Sequence, residues 1–180
     1  MKNIMRLFLS IEIPENIQKV LRERAEDLAE AGLFEGKITE LENIHLTLKF
    51  LGEVEEEKLP EIVERLKNLN IPQYNGIIGG LGVFDEKYIK IIWAKLLGID
   101  ELQKTIDYAL EGLFQKEERF MSHITLARVK NVREKRSLID AVKNIRLENL
   151  EFPILGFTLM RSELSEEGPS YSIIEKFGDD

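Results

Sequence analysis

A chain of 180 residues that is 43% hydrophobic and 32% charged has the apolar content for a packed core, which excludes a disordered segment. Its formal net charge of −8 excludes broad electrostatic coating of nucleic acid, yet leaves room for a local basic pocket that takes a small phosphate-bearing ligand. With no cysteine, disulfides, thiolate nucleophiles and Cys-ligated metals are excluded as well.

In chain order, "RLFLSIEI" (6–13) reads as a buried strand, ended by Pro14, which has no backbone N–H to give. This apolar stretch is too short to span a bilayer and has no small-residue cleavage site, so a cytoplasmic protein is expected. A helix follows, with Ile17, Val20, Leu21 and Leu28 on one face, and Gly32 and Gly36 then mark a loop. "NIHLTLKFLG" (43–52) alternates as a strand does, Ile44, Leu46, Leu48 and Phe50 against His45, Thr47 and Lys49, with Ile44, Leu46 and Leu48 turned inward and His45 and Thr47 on the open face. A second helix over 55–69 buries Leu59, Ile62, Val63, Leu66 and Leu69. The acidic run "EVEEEK" (53–58) sits at its N-terminus, where carboxylates complement the helix dipole. "GIIGGLG" (76–82) is a glycine-rich strand or bulge; it lacks the Lys-Ser/Thr ending of a phosphate-cradling P-loop.

"YIKIIWAKL" (88–96) is the next strand, with Trp93 expected in the core. A helix from Asp100 to Phe114 buries Leu102, Ile106, Ala109, Leu110 and Leu113, and "SHITLARV" begins a further strand at Ser122. A basic amphipathic helix over 134–145 and two strands, "FPILGFTLMRSEL" and "SYSIIEKF", complete the pattern. The final "GDD" reads as a solvated end.

Strand, helix, strand in the first half matches strand, helix, strand in the second, and "IPENIQK" (13–19) echoes "GIDELQK" (98–104). The chain therefore reads as an internal duplication. Alternating strands and helices suggest parallel units, but the one wet face of each histidine strand favours antiparallel sheets with helices behind. The expected fold is α+β, with two pseudo-symmetric lobes, each an antiparallel sheet with helices packed outside, facing a central cleft and forming one domain over residues 1–180.

The chain holds two histidines, His45 and His123, and both head the same phrase, His-x-Thr-Leu. Residues i and i+2 of a strand share a face, so each copy offers an imidazole and a hydroxyl side by side. Two imidazoles flanking a phosphate can serve as general base and general acid, since an unperturbed value of about 6.5 makes both protonation states accessible. Thr47 and Thr125 can donate to phosphoryl oxygens. The planar fork of Arg128 suits a phosphate, although strict alternation turns it away from His123, so a bulge or strand end must bring it back. Packing accounts for Ile44, Leu46, Ile124 and Leu126 but not for the histidines. Phe50 and Phe84 lie on the open-face parity or in a loop and could stack a base, although core packing is the default expectation for both. No supporting cluster of carboxylates points to a metal.

These motifs and their flanks, "RLFLSIEIP", "IHLTLKFLGEV", "GVF", "YIKIIWAKL", "SHITLARV" and "FTLMRSELSEEGPSY", resemble the 2H phosphoesterase superfamily, in its RNA 2′,3′-cyclic phosphodiesterase (2′-5′ RNA ligase) branch. The resemblance covers nearly the whole chain. It implies two lobes lining a central cleft, and hydrolysis of a 2′,3′-cyclic phosphate to a 2′-phosphomonoester without metal or cofactor, with 2′-5′ ligation as the reverse activity. It implies further that His45 is the proton donor to the 3′ oxygen, that His123 is the acceptor activating water, that Thr47 and Thr125 hold phosphoryl oxygens, and that Arg128 contacts the phosphate. The expected partners are RNA or oligonucleotide ends bearing the cyclic phosphate, met by a monomer away from any membrane. Ser122 stands where many relatives have proline, and a looser start to its strand is expected. A non-catalytic module that binds such ends is the alternative; the two intact histidines favour the enzyme, because binding needs cations more than titratable rings.

Overall fold

A computed structural model of the chain describes residues 3–148, 150–165 and 168–178. The last two aspartates of "GDD", and residues 166 and 167 of the closing segment, lie outside the described residues. Among the described residues, nine strands and four α-helices follow in the order β1 (Ile4–Glu12), α1 (Glu15–Glu30), β2 (Glu35–Ile38), β3 (His45–Glu55), α2 (Leu59–Lys67), β4 (Tyr74–Val83), β5 (Ile91–Leu97), α3 (Asp100–Ala109), β6 (Ile124–Asn131), α4 (Lys135–Asn144), β7 (Glu151–Ile154), β8 (Gly156–Ser165) and β9 (Gly168–Gly178).

Every pairing between these strands is antiparallel, and the spatial order is β7-β4-β5-β6-β3-β1-β8-β9, with β2 added on β6. The order is its own mirror image about the β6/β3 junction: each histidine strand has an outer partner (β5 or β1), then a second (β4 or β8), then a third (β7 or β9). The junction itself is one residue pair, Leu46 opposite Ile124. So short a seam lets the sheet curl into two lobes while the backbone path stays continuous. The fold is the expected α+β.

Amphipathic helices cover the far side of the sheet. α1 turns Ile17, Leu21, Ala25 and Leu28 inward and packs beside α4 over β6 and β4, while α2 packs beside α3 and reaches β9. One core joins both lobes, with Leu7, Leu9, Leu46, Leu48, Ile92, Leu96, Ile124 and Leu126 all buried. α3 stops at Ala109, short of the expected Phe114, and the chain turns through Gly112 at φ +84 instead of continuing the helix. The expected single strand over 152–164 is two, β7 and β8, parted at Leu155.

The segment around Gly36 is not a loop. It forms β2, with Gly36 facing Val129 and Lys37 facing Arg128. Glycine is required by close approach: a Cβ on Gly36 would collide with the carbonyl oxygen of Arg128. Gly36→Ala is therefore expected to push β2 off β6, costing about 1–3 kcal/mol as overpacking does. A thermal melt checks this; an unchanged midpoint would show that the strand pair yields without cost.

Candidate active site

His45 opens β3 and His123 immediately precedes β6. The two rings are anchored alike: Nδ1 of His45 lies 2.8 Å from the carbonyl oxygen of Asn43, and Nδ1 of His123 lies 2.8 Å from that of Met121. A carbonyl only accepts, so each Nδ1 carries the hydrogen and donates it, which leaves each Nε2 for other chemistry. The ring of His45 packs against Phe8 and meets Tyr171 edge-on, with centroids 5.2 Å apart in both cases. His123 is met edge-on by Phe84 at 4.8 Å. Ser122 does not loosen the start of β6: it is buried, and its hydroxyl donates to the Leu96 carbonyl on β5.

Both histidines, both threonines and Arg128 line one cleft of about 570 Å³. Arg128 gets there because β6 is bulged. Trp93 pairs with Thr125 and Ile92 with Ala127, so Leu126 is the extra residue. Leu126 and Ala127 are consequently both buried, and residue 128 returns to the face of Thr125. β3 does the same. Ser10 pairs with Thr47 and Leu9 with Lys49, which makes Leu48 the extra residue.

This second bulge overturns the strict alternation expected for residues 49 and 50. Lys49 is inside, 5% exposed, and Phe50 is outside, 69% exposed and lining the cleft. Phe84 is likewise exposed rather than in the core, with its ring against Trp93 as well as His123. Trp93 is half-buried and takes no part in lining the cleft.

The sequence reading missed the outer walls. Arg6 and Phe8 of β1, Ser162 of β8 and Tyr171 of β9 line the cleft, as does the stretch from Lys37 to Glu40. Only the quoted "GPSY" hinted at Tyr171, since nothing local in a strand so remote in sequence shows that its ring reaches His45. Among the described lining residues none comes from β4, β5 or β7, so the cleft leans over the lobe that carries His45.

Burial pushes His45 below its ordinary 6.5; its bond to the Asn43 carbonyl opposes this, and charge on His123 adds to it. Burial raises the Tyr171 hydroxyl above its ordinary 10.0, against the pull of Arg128 and Arg6, so it remains a neutral hydrogen-bond donor at neutral pH. Among the described residues no three His, Asp or Glu side chains gather as a metal site, and no helix is long and apolar enough to cross a membrane.

Two antiparallel half-sheets of mirrored strand order, each bringing one His-x-Thr pair to a shared cleft with an arginine at one end, define an α+β architecture with a two-histidine cleft. Comparison with known proteins narrows this. The family model described as LigT like Phosphoesterase matches residues 11–93 and 97–171. The RNA 2′,3′-cyclic phosphodiesterase of Methanocaldococcus jannaschii is 37% identical over 178 residues, covering 96% of this chain and 100% of that protein. The one from Thermotoga maritima is 32% identical, covering 94% of this chain and 93% of that protein. A crystal structure of a Thermus thermophilus protein superposes with a TM-score of 0.79 at 31% identity, covering 97% of each chain. Escherichia coli LigT in complex with 3′-AMP shares the fold at a TM-score of 0.72 and 23% identity, over 98% of each chain. The chain belongs to the LigT-like phosphoesterase family, within the 2H superfamily.

Proposed function

We propose that this protein is an RNA 2′,3′-cyclic phosphodiesterase that works by two-histidine acid–base catalysis, as one two-lobed domain acting as a monomer. The observation that carries the reading is the convergence of the chain's two histidines on one cleft, each with Nδ1 committed to a carbonyl and Nε2 left over. The names of relatives that match over almost the whole chain support the same reaction.

In the proposed sequence His123 Nε2 takes a proton from water as the water oxygen bonds to phosphorus. The bond from phosphorus to the 3′ oxygen breaks, and His45 Nε2 gives its proton to that oxygen, leaving a 2′-phosphomonoester. Thr47 and Thr125 donate to the non-bridging oxygens, and the Arg128 guanidinium offsets their charge. Most of the remaining wall comes from β1, β8 and β9 on the His45 side, with only the stretch from Lys37 to Glu40 reaching in from β2. The nucleoside therefore rests on the His45 side, which puts the leaving oxygen beside His45 and water beside His123. The acid must be protonated although burial depresses its value; the negative phosphoryl group, once bound, favours the imidazolium and offsets that depression. With a 5′-hydroxyl in place of water, the same two transfers form a 2′-5′ bond. Both chain partners would be RNA ends.

Turnover of a 2′,3′-cyclic nucleotide, with the product isomer identified by phosphorus NMR, tests the proposal. Hydrolysis to the 2′-phosphate is expected, and EDTA is expected to leave the rate unchanged. Activity lost on chelation and restored by zinc or manganese would overturn the metal-free reading. Tight binding with no turnover would favour the non-catalytic module.

A further inference from the structure

Strand register makes the two halves of the sheet comparable position by position. Ser10 of β1 stands opposite Thr47, as Trp93 of β5 stands opposite Thr125. On the His123 side the indole of Trp93 lies over Gly82 and against Phe84, so an aromatic ring occupies that place. On the His45 side a serine holds the matching position, and it lines a cavity of about 550 Å³. That volume falls within the range of about 300–1,000 Å³ usual for small-molecule pockets.

The cavity adjoins the cleft, since His45 and Tyr171 line both. Leu41 and Ile173 give it apolar walls, and Ile173 is 52% exposed, a bare face that a flat ring would cover. Ser10 is only 2% exposed, and its hydroxyl has no hydrogen-bond partner among the described residues. A buried hydroxyl left short of a bond is a place for a ligand to supply one. Three carboxylates line the cavity as well. Glu15 is paired with Lys19 at 2.7 Å and Glu12 with Lys176 at 3.1 Å. Glu42, which is exposed, has no partner among the described residues. Lys176 also lines the cavity, so a cationic donor is present beside the acceptors.

A flat ring with apolar faces and a polar edge fits such a slot, and the proposed reaction brings one there. When the 3′ oxygen leaves beside His45, the base of the same nucleotide lies one ribose away. Guanine has the edge that suits an unpaired carboxylate: its N1–H and 2-amino group donate side by side, and its 6-oxo group accepts from an ammonium. Adenine and cytosine set a ring-nitrogen acceptor beside their single amino group, and uracil flanks its one N–H with two carbonyls, so a carboxylate repels part of each edge. Resting on the phosphodiesterase reading, we propose that the cavity beside Ser10 is a base pocket for the nucleotide carrying the cyclic phosphate, in which Glu42 selects guanine at the RNA 3′ end.

The experiment measures kcat/KM for the 2′,3′-cyclic phosphates of guanosine, inosine, adenosine, cytidine and uridine, with calorimetry on guanosine and adenosine 2′-phosphates. Guanosine is expected to lead adenosine, cytidine and uridine by about tenfold or more, the scale set by a buried hydrogen-bonding edge left unpaired. Inosine, which lacks only the 2-amino group, should fall between. Glu42→Ala should erase most of the guanosine lead. Ser10→Leu, which pushes a side chain into the cavity, should erase it too by raising KM; if that variant does not fold, the exposed Glu42 position carries the test. Equal kcat/KM across the bases in the unaltered protein would overturn the pocket. So would a guanosine lead that survives Glu42→Ala, because the base is then read elsewhere. No turnover of any substrate, with guanosine 2′-phosphate bound more tightly than the adenosine form and the difference lost in Glu42→Ala, would overturn the phosphodiesterase reading and keep the pocket.

Discussion

Replacing His45 or His123 with alanine is expected to lower turnover by about 10²–10⁴-fold, the range for loss of a general acid or base, while the protein stays folded. Neither ring fills the core: both are half-buried at the cleft, against aromatic neighbours and one carbonyl each. Circular dichroism and a thermal melt separate loss of chemistry from loss of fold. Near-normal turnover in either variant would end the two-histidine mechanism.

The pH dependence of what remains assigns the roles. In the intact enzyme kcat/KM should follow a bell, and its acidic limb should lie below the ordinary 6.5, because burial and a second imidazolium both disfavour charge on His45. Such a bell belongs to the pair and cannot say which ring does what. The variants can. With His123 removed, the remaining activity depends on protonated His45 and should fall as pH rises through a value below 6.5. With His45 removed, it depends on neutral His123 and should rise with pH. The opposite slopes would exchange donor and acceptor while leaving the site intact.

Asp107→Ala should produce the largest loss of stability, about 3–5 kcal/mol, as breaking a buried ion pair does. Lys49 and Asp107 are 5% and 7% exposed, and their charged groups lie 2.5 Å apart. The Lys49 ammonium also donates to the Gln115 carbonyl at 2.6 Å, and the carboxylate accepts from Gln103 at 2.9 Å and from the Glu117 N–H at 3.0 Å. Removing the carboxylate strands an ammonium in the interior, next to the bulge that turns Phe50 outward. Denaturant unfolding measures the loss. Lys49→Met with Asp107→Leu should be far milder, since an apolar pair of similar volume leaves no uncompensated charge; a double variant as unstable as the single one would show that packing, not charge, sets the cost. Burial by itself raises the Asp107 carboxyl, but hydrogen bonds from Lys49, the Glu117 N–H and Gln103 outweigh it and hold it below its ordinary 3.8. The linked stability is therefore full above 3.8 and lost as pH falls through the lower folded value.

The Lys49 and Phe50 pair marks where a one-dimensional reading stops. Periodicity of two is sound from His45 to Leu48, because side chains of an unbroken strand alternate, and it places both His-x-Thr pairs on the wet face. One extra residue inverts everything after it, so Lys49 goes inside and Phe50 goes out. The same inversion brings Arg128 into the cleft, and the sequence reading could require it but not locate it. Bulges answer to the register of a neighbouring strand, here β1 and β5, and leave no local mark in "HLTLKF" or "HITLAR". β2 was unreadable for a related reason: its glycine, which locally signals a turn, is there to let one backbone come close to another.

By itself the sequence determined the duplication, the α+β class, the helix faces and the four side chains of the two motifs, because these depend on spacings of two to four residues that backbone geometry dictates. Tertiary structure alone decided that the sheet is continuous through a single residue pair, that β2 lines the cleft, and that Tyr171, Arg6 and Phe50 line it with the histidines. Those facts come from packing between segments many tens of residues apart, where burial and register, rather than local preference, choose which face each side chain takes.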